Sequence, residues 1–371
     1  MHRAAPSERT TPHRLTRADA TENGQGGAGR RAAGAWRERI HRTVRAASRP
    51  GPWKRGLVLA ALALLLGLLL LLHAKIPNQG LGNAGSLVET FLPWFGLFIP
   101  VLLAGALWRR SASAVLALLL PVVAWLNLFG GLLGDKSHPG SDLTLAEQNV
   151  NADNPDPART ARSLAATGTD VLALVELTPQ ATGTYEKELA KAYPYHTVQG
   201  TVGLWSKLPL SGTRPIDIVD YGPLADTKPA DAKLASNRAL RTTVSTSHGP
   251  LTVYVAHLGS VRVTPRTGYW TASRDRTAQT LGKAVAADPS KRVVLLGDLN
   301  GTMDDRAFAG LTSQLRSAQD AAGSGFGFTW PARFPVARID QILVKGVKPD
   351  SSWLPSATGS DHLPVAAGIS W

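Results

Sequence analysis

The sequence predicts a membrane-anchored protein whose C-terminal part folds as a layered domain of α-helices and β-strands. Three apolar stretches fill residues 56–133, β-rich runs alternate with helical stretches from Leu143 onward, and polar residues follow the β-rich runs. A chain of 371 residues has room for one large domain and additional segments. We expect four parts in order: a tail over residues 1–55, a membrane segment over residues 56–133, a linker over residues 134–142 and a soluble domain over residues 143–371.

The net charge of +13 is concentrated at the N-terminus. Residues 1–55 contain 13 Lys and Arg against 4 Asp and Glu, whereas residues 134–371 contain 24 against 22. A nucleic-acid-binding protein usually carries its positive charge on the binding domain, so this distribution argues against DNA as the main partner. The tail itself is expected to be disordered, with an Arg-rich helix over Ala35–Ala47 on anionic lipid as the alternative.

The sequence contains no cysteine. Disulfide bonds, zinc–thiolate sites and a thiol nucleophile are therefore excluded. The absence of cysteine is compatible with either side of a membrane, so it leaves the compartment open.

The three apolar stretches predict membrane spans. The first, Gly56–Ala74, contains eleven leucines and no Lys, Arg, Asp or Glu, and it is long enough to cross a hydrocarbon core of about 30 Å. The second runs from about Leu87 to Trp108 and the third from about Ala112 to Leu133. A signal peptide is the alternative for the first stretch, but its length and its distance from the N-terminus argue against one. Buried core helices are the alternative for the other two.

Basic residues predict the orientation of these spans. Lys54-Arg55 precedes the first span, and Arg109-Arg110 separates the second from the third. The loop after the first span contains a single basic residue, Lys75. The positive-inside rule puts the N-terminus and Arg109-Arg110 in the cytoplasm. With an odd number of spans, the soluble domain then lies outside the cell, and the short linker keeps it close to the bilayer.

Polar residues stand at the ends of six predicted strands in the soluble domain. A single polar residue at a strand end is ordinary, but six such ends with carboxylates, amides and imidazoles indicate a shared site. These groups are suited to bind a divalent cation and a phosphate and to activate a water. In chain order, they are Asn149, Glu176, His257, Asp298 with Asn300, Asp340, and Asp361 with His362.

Three arginines near these strands need an interpretation. Arg238 directly precedes a predicted strand and is a candidate to bind the phosphate. A helix is expected over Thr271–Ala287, and its Arg274 and Arg276 are interpreted as part of a solvated face.

The polar segments resemble the motifs of the endonuclease/exonuclease/phosphatase superfamily, which includes DNase I-like nucleases, inositol polyphosphate phosphatases and sphingomyelinases. They occur in the family's order and cover roughly Leu143 to Trp371. Each segment alone is a weak signal, whereas the ordered set is specific. The segments are Gln148-Asn149-Val150-Asn151, Val175-Glu176, Ala256-His257-Leu258, Gly297-Asp298-Leu299-Asn300, Thr329-Trp330 with Arg338-Ile339-Asp340, and Ser360-Asp361-His362.

The resemblance implies an α+β fold, a four-layer α/β/β/α sandwich of the DNase I type, preceded here by three transmembrane helices. It also implies a metal-dependent hydrolase of phosphate esters that uses Mg²⁺ or Mn²⁺. By this resemblance Glu176 holds the metal, with help from Asn149 and Asp361. Asn151 stands where some family members have a second acid, which weakens the expectation of a two-metal site.

The resemblance implies catalytic roles for five further positions. Asp298 orients or deprotonates the attacking water, and Asn300 holds the phosphate. His362 stabilises the phosphoryl transition state while Asp340 pairs with its imidazole. His257 is the second histidine and lies near the leaving group. Phosphoryl transfer depends mainly on positioning and charge neutralisation, so this set of groups is chemically reasonable.

Three spans before such a domain resemble the actinobacterial VanJ-type membrane proteins linked to teicoplanin resistance. That architecture implies an extracytoplasmic enzyme whose partners are the bilayer and a lipid-linked phosphate or pyrophosphate of the cell envelope. Two alternatives stay open, an outward-facing nuclease or phosphodiesterase on nucleic acid and a non-catalytic binding module. The nuclease requires a basic groove. The arginines that would converge there are Arg238, Arg241, Arg262, Arg266, Arg274 and Arg276.

Overall fold

The computed structural model describes residues 38–39, 51–218 and 237–371. The predicted tail, residues 1–55, and the alternative helix within it lie outside the described residues, apart from residues 38–39 and 51–55. The membrane segment contains the helices α1 (Leu57–Leu72), α2 (Ala84–Thr90), α3 (Phe98–Trp108), α4 (Ala112–Ala117) and α5 (Leu119–Phe129). Short 3-10 turns extend these helices at His73–Lys75, Leu92–Leu97 and Gly130–Leu132.

Two stretches of the described chain are long and apolar enough to cross a bilayer, Leu57–Lys75 with 19 residues and Ala112–Leu132 with 21. Each is about 30 Å long at the rise of an α-helix, which matches a hydrocarbon core. The second predicted span is a pair of helices, Ala84–Thr90 and Leu92–Trp108, bent by 70°. The bend falls beside Pro93, which cannot continue the hydrogen-bond ladder of the preceding helix. The predicted count of three spans is therefore not confirmed, since it is reached only if the bent pair crosses as one.

The helices of the membrane segment alternate in direction. Gly105, near the end of α3, lies against Leu59, near the start of α1, so these two helices run antiparallel. The indole nitrogen of Trp125 in α5 donates a 2.9 Å hydrogen bond to the carbonyl of Pro93. Pro93 lies at the start of Leu92–Trp108, the longer helix of the bent pair. The ends of α1 and α5 and the bend therefore lie on one side of the bundle, where the soluble domain follows.

The soluble domain is built on two mixed β-sheets. Its strands are β1 (Leu143–Asn149), β2 (Val171–Val175), β3 (Tyr195–Gln199), β4 (Val202–Ser206), β5 (Leu210–Pro215), β6 (Ala239–Thr246), β7 (Gly249–Ala256), β8 (Arg262–Thr264), β9 (Gly268–Trp270), β10 (Val293–Asp298), β11 (Arg316–Ser317), β12 (Asp340–Lys345), β13 (Lys348–Trp353) and β14 (Val365–Ser370). One sheet has the order β13-β14-β1-β2-β4-β3 and the other β11-β12-β10-β7-β6-β5. The short strands β8 and β9 form a separate hairpin.

The sheets pack face to face, with helices on the outer sides. Leu145 of the first sheet lies in one apolar core with Val253 and Leu296 of the second. The helices are α6 (Pro157–Ala165), α7 (Pro179–Leu189), α8 (Ala272–Ala286), α9 (Ala309–Thr312) and α10 (Ala318–Ala322). Leu164 and Leu189 of α6 and α7 cover the first sheet, and α8 covers the second. The predicted α+β sandwich is confirmed.

A buried ion pair ties the membrane segment to the soluble domain. Glu89 of α2 is fully buried, and the guanidinium of Arg306 donates to its carboxylate at 2.7–3.1 Å. Arg306 also donates to the main-chain carbonyls of His73 and Ile76 at the end of α1. A buried carboxylate such as that of Glu89 is tolerated only when it is closely paired and hydrogen-bonded, and here the partner Arg306 is itself only 32% exposed. The soluble domain is thus held against the membrane segment at a defined orientation.

Arg274 extends the same contact, and its predicted solvent exposure is wrong. Its side chain is fully buried in α8 and pairs with Asp305 at 2.7 Å and with Asp275 at 2.7 Å. Its guanidinium also contacts the hydroxyl of Ser86 in α2 at 3.5 Å. A helical pattern shows which residues share a face, but it does not show that a second segment of the chain covers that face.

Replacement of Arg306 by methionine is expected to lower the free energy of unfolding by about 3–5 kcal/mol, because Glu89 would keep a buried charge without its partner. The matched control is Arg162→Met. Arg162 forms an exposed 3.0 Å pair with Glu188, and loss of an exposed pair costs under about 1 kcal/mol. Thermal unfolding of the full chain in detergent measures the loss of stability in both variants. Equal, small shifts in the two variants would contradict a stabilising role for the buried pair.

Candidate active site

The candidate site lies at one end of the sandwich, where four strands end and one begins. The parallel strands β1 and β2 end at Asn149 and directly before Glu176, and the parallel strands β7 and β10 end directly before His257 and at Asp298. β12 is antiparallel to β10, so its first residue, Asp340, pairs with Asp298. The strand directions therefore bring the predicted residues to one edge, as their positions in the sequence predict.

Asp298 is at the centre of the site. Its carboxylate accepts hydrogen bonds from the side-chain amide of Asn149 at 3.0 Å and from the main-chain N–H of Asn300 at 2.8 Å. His257 Nε2 lies 3.6 Å and His362 Nε2 3.9 Å from its Oδ2 atom. Burial and, next, the negative charge of Asp340 raise the pKa of Asp298 to about 7. A carboxyl group with this pKa can exchange a proton near neutral pH.

His362 and Asp340 form a closely paired couple. The Nδ1 atom of His362 lies 2.9 and 3.0 Å from the two carboxylate oxygens of Asp340. Burial on its own would lower the pKa of His362, but the charge of Asp340, its hydrogen bonds and the charges of Asp298 and Asp361 raise that pKa to about 10. His362 is therefore a cation at neutral pH, with its Nε2 directed towards Asp298.

His257 has the opposite electrostatic character. Burial, followed by the positive charges of Arg238 and His362, lowers the pKa of His257 well below its ordinary value. Its Nε2 atom lies 3.5 Å from Glu176 Oε1 and 3.6 Å from Asp298 Oδ2. The two histidines thus differ at neutral pH, one neutral and one charged, because the hydrogen-bonded carboxylate of Asp340 stabilises the charge of His362, whereas burial and nearby positive charges act against a charge on His257.

The backbone is strained at this edge. Of the five non-glycine residues with positive φ in the described chain, three lie here, Asn151 at 61°, Glu176 at 62° and Asn300 at 53°. Such angles cost side chains of L-residues free energy and persist where the surrounding structure imposes them. The turn after β2 aims Glu176 into the cleft, where it also accepts a 3.2 Å hydrogen bond from the main-chain N–H of Ala152.

The donor set fits a divalent cation. The buried Nε2 atom of His257 has no hydrogen-bond partner among the described residues and faces the carboxylates of Glu176 and Asp298. Carboxylate oxygens are the preferred ligands of Mg²⁺ and Mn²⁺. Ligand atoms of Asp298, Asp340 and His362 also lie within 4.8 Å of one another. That group is less suitable, because the paired and protonated imidazole of His362 has no lone pair to offer.

Three predicted residues are placed less centrally. Asp361 is exposed and lines the cleft beside His362. Asn300 lines the cleft too, and its amide donates to the carbonyl of Leu258 at 3.1 Å. Arg238 donates to the carbonyls of His257 and Leu258 at 3.0 and 2.9 Å, so it holds the backbone beside the site. Its role as a phosphate ligand stays a prediction.

The sequence analysis assigns no role to three supporting residues, although two of them, Thr329 and Ser360, lie in its motifs. Glu147 is fully buried, and its carboxyl oxygens have no hydrogen-bond partner among the described residues. Burial and then the charges of Asp340 and Asp298 raise the pKa of Glu147 well above its ordinary value, which favours its neutral form. Thr329 accepts a 3.4 Å hydrogen bond from the N–H of Asp340, and the hydroxyl of Ser360 donates to the carbonyl of Asn149 at 2.7 Å. The sequence could have identified Glu147, because it lies two positions before Asn149 in β1 and side chains two positions apart share one face of a strand.

The cleft over these residues has a second wall that comes from the membrane segment. Leu87, Thr90 and Phe91, in and after α2, line it together with Asp298 and His362. Tyr269 of the β8–β9 hairpin closes the wall, because its hydroxyl lies 3.0 Å from the hydroxyl of Thr90 and its N–H donates to the carbonyl of Gly82. The cavity measures about 460 Å³, within the range of small-molecule sites.

Replacement of Asp340 by asparagine is expected to lower kcat by about 10²-fold. Without the carboxylate, the pKa of His362 falls from about 10, so the imidazole loses its proton at lower pH. The alkaline limb of the pH–kcat/KM profile should therefore move to lower pH. Asp153→Asn, an exposed change at the edge of the site, is the control and should leave the profile unchanged. A profile of Asp340→Asn with an unmoved alkaline limb would contradict this pairing.

Comparison with known proteins agrees with this geometry. Residues 146–362, more than half of the chain, match the Endonuclease/Exonuclease/phosphatase family. The chain therefore belongs to that family, and it is a metal-dependent hydrolase that acts on phosphate ester bonds. No match was found among curated proteins.

Three of the solved structures with a similar fold belong to proteins of different kinds. A D. rerio TDP2 humanized by 14 mutations is 20% identical, with a TM-score of 0.49, over 62% of this chain and 99% of that chain. Sphingomyelinase C from Streptomyces griseocarneus is 21% identical, with a TM-score of 0.46, over 61% and 98%. A Staphylococcus aureus beta toxin variant with bound magnesium ions is 17% identical, with a TM-score of 0.46, over 62% and 99%.

Proposed function

We propose that this protein is a membrane-anchored, extracytoplasmic phosphohydrolase whose substrate is a lipid-linked phosphate ester or pyrophosphate of the cell envelope. The observation that carries the proposal is the cleft. Carboxylates and the imidazole of His362 line it, and so do Leu87, Thr90 and Phe91 of the predicted membrane segment. A cleft built partly from the predicted membrane segment supports a position of the reacting groups close to lipid headgroups. The basic residues beside the spans support a cytoplasmic N-terminus and an outward domain.

The catalytic roles that we propose are those implied by the family resemblance, and the geometry and charge of the site support them. Asp298, with a pKa of about 7, accepts a proton from the attacking water as the water oxygen bonds to phosphorus and the bond to the leaving oxygen breaks. The cationic His362 lies against this carboxylate and stabilises the negative charge on the phosphoryl oxygens. Asn300 contributes an amide donor to the phosphate. Neutral His257 lies near the leaving group.

Glu176, helped by Asn149 and Asp361, would hold Mg²⁺ or Mn²⁺. When bound, the ion neutralises phosphate charge and polarises the P–O bond. The half-buried carboxylate of Glu176 beside the unpartnered Nε2 of His257 supports this assignment.

The nuclease alternative is less favoured by the arginines. Arg241 forms a 3.0 Å ion pair with Asp288, and Arg274 is buried against Asp305 and Asp275. Two of the six arginines that a basic groove requires are therefore engaged elsewhere. A non-catalytic role is disfavoured because acid, amide and imidazole groups are gathered around Asp298, which accepts hydrogen bonds from Asn149 and Asn300 and has an Nε2 atom of each histidine at 3.6 and 3.9 Å.

A substrate panel tests the proposal on the purified full chain in detergent. Polyprenyl pyrophosphate, sphingomyelin, plasmid DNA and RNA are each incubated with Mg²⁺ and with EDTA. We expect release of phosphate or headgroup from a lipid substrate, dependent on the metal. Cleavage of DNA or RNA without turnover of either lipid would support the nuclease instead. A lack of turnover of every substrate with Mg²⁺ and with Mn²⁺ would favour a binding module.

A further inference from the structure

A second cavity of about 460 Å³ lies beside the catalytic cleft. It is bounded by the bent helix pair, by α5 and by the loop that precedes β12. Among the described residues, no charged side chain lines it. The lining residues used below are Trp94, Leu97, Leu126, Phe326 and Phe328.

Two chain segments lie between the two cavities. On each segment, a residue that lines one cavity is close in sequence to a residue that lines the other. Phe91 lines the catalytic cleft and Trp94 lines the second cavity. On the facing segment, Trp330 lines the catalytic cleft and Phe328 lines the second cavity. A molecule with its phosphate at His362 would therefore have to pass only these few residues to reach the second cavity.

Aromatic rings connect the cavity with the catalytic residues. Phe326 stacks on Phe328 at 5.2 Å between centroids, and Phe328 stacks on Trp94 at 5.5 Å. Trp330 follows, with its ring 6.5 Å from that of His362. The indole of Trp94 also donates a 2.8 Å hydrogen bond to the carbonyl of Val336 in the soluble domain. Ring stacking and this hydrogen bond hold the wall of the cavity in place.

The outer side of the cavity lies within the apolar membrane segment. Leu97 and Leu126 line the cavity and are 59% and 48% exposed, and their neighbours Val101 and Val123 are also largely exposed. In a membrane this surface contacts lipid chains rather than water. The cavity is thus open to hydrocarbon on one side and adjacent to the phosphate site on the other.

We infer that this cavity binds the hydrocarbon chain of the lipid substrate while the phosphate group lies at Asp298 and His362. The inference rests on the proposed function and adds to it a defined place for the apolar part of the substrate. Its volume falls within the range of about 300–1,000 Å³ that is typical of ligand sites. Burial of a chain there would favour long-chain substrates over short-chain ones with the same headgroup, because each buried methylene adds to affinity.

The test fills the cavity from α5. Leu126→Trp adds bulk at a lining position, whereas Val123→Trp makes a comparable change on the same helix at a position that does not line the cavity. Substrates are used in pairs, a polyprenyl pyrophosphate against dimethylallyl pyrophosphate and sphingomyelin against its short-chain analogue. We expect Leu126→Trp to lower kcat/KM for the long-chain member by about tenfold or more, as for roughly two lost methylene contacts. The short-chain member and the Val123→Trp variant should be unaffected.

The outcomes separate the two proposals. If the wild-type protein hydrolyses neither long-chain lipid, the proposed function fails, and the proposed site for the hydrocarbon chain fails with it. If it hydrolyses a lipid and the two tryptophan variants behave alike on both members of the pair, only the proposed site for the hydrocarbon chain fails.

A second measurement does not depend on a variant. The wild-type chain is irradiated with a polyprenyl pyrophosphate that carries a diazirine on its hydrocarbon chain. Labelling of peptides that contain residues 93–100 or 326–328 supports the inference, and labelling confined to other peptides overturns it.

Discussion

Replacement of Asp298 by asparagine is expected to lower kcat by a factor of about 10³–10⁴ without unfolding the protein. Asp298 is the group to which Asn149 and the N–H of Asn300 donate, and both histidines approach the same carboxylate. Asparagine can keep one acceptor oxygen but cannot take a proton from water. The loss should therefore appear in kcat, while the fold stays intact because the change also removes charge repulsion from Asp340.

The measurement is metal-dependent turnover of the best substrate of the panel, with thermal unfolding recorded on the same samples. Glu186→Gln is the control, because Glu186 lies on α7 with a half-exposed carboxylate near His196. It should retain full activity. An Asp298→Asn variant with activity within tenfold of the wild type would rule out the role of Asp298 as the base.

Replacement of Gly297 by alanine is expected to lower the free energy of unfolding by about 3 kcal/mol or more. A Cβ atom at Gly297 would lie 1.8 Å from the carbonyl oxygen of Ala256 on the neighbouring strand. The clash is with backbone, so it can be relieved only by moving β10 away from β7. That movement would also displace Asp298, the next residue, so activity should be lost together with stability.

Gly183→Ala is the matched control for this prediction. Gly183 lies inside α7, where an added Cβ meets no atom within 4 Å. Alanine is the better helix former, so this change should raise stability by about 0.5–1 kcal/mol. Thermal or denaturant unfolding of both variants shows whether the signs differ. Stabilisation by Gly297→Ala would mean that the two strands are not as close as the structure has them.

Much of the soluble domain can be predicted from local pattern. The strands before Asn149, Glu176, His257 and Asp298 are identifiable because short β-rich runs end in polar residues. Their convergence follows from strand direction. The membrane segment is less predictable. A hydropathy pattern shows how long an apolar stretch is, but it does not show the 70° bend beside Pro93. The predicted count of three spans is therefore not confirmed.

By itself, the sequence determined the α+β class, the family and the set of residues that meet at the catalytic edge, because these depend on short patterns and on their order along the chain. Only the tertiary structure decided how that edge is enclosed. Glu89 and Arg306 are 217 positions apart, and no local pattern indicates that they pair. The same docking buries Arg274 and places Phe91 over the catalytic groups. Contacts between distant segments depend on the packing of the whole fold, and here they give the candidate site a wall from the apolar helices that precede the domain.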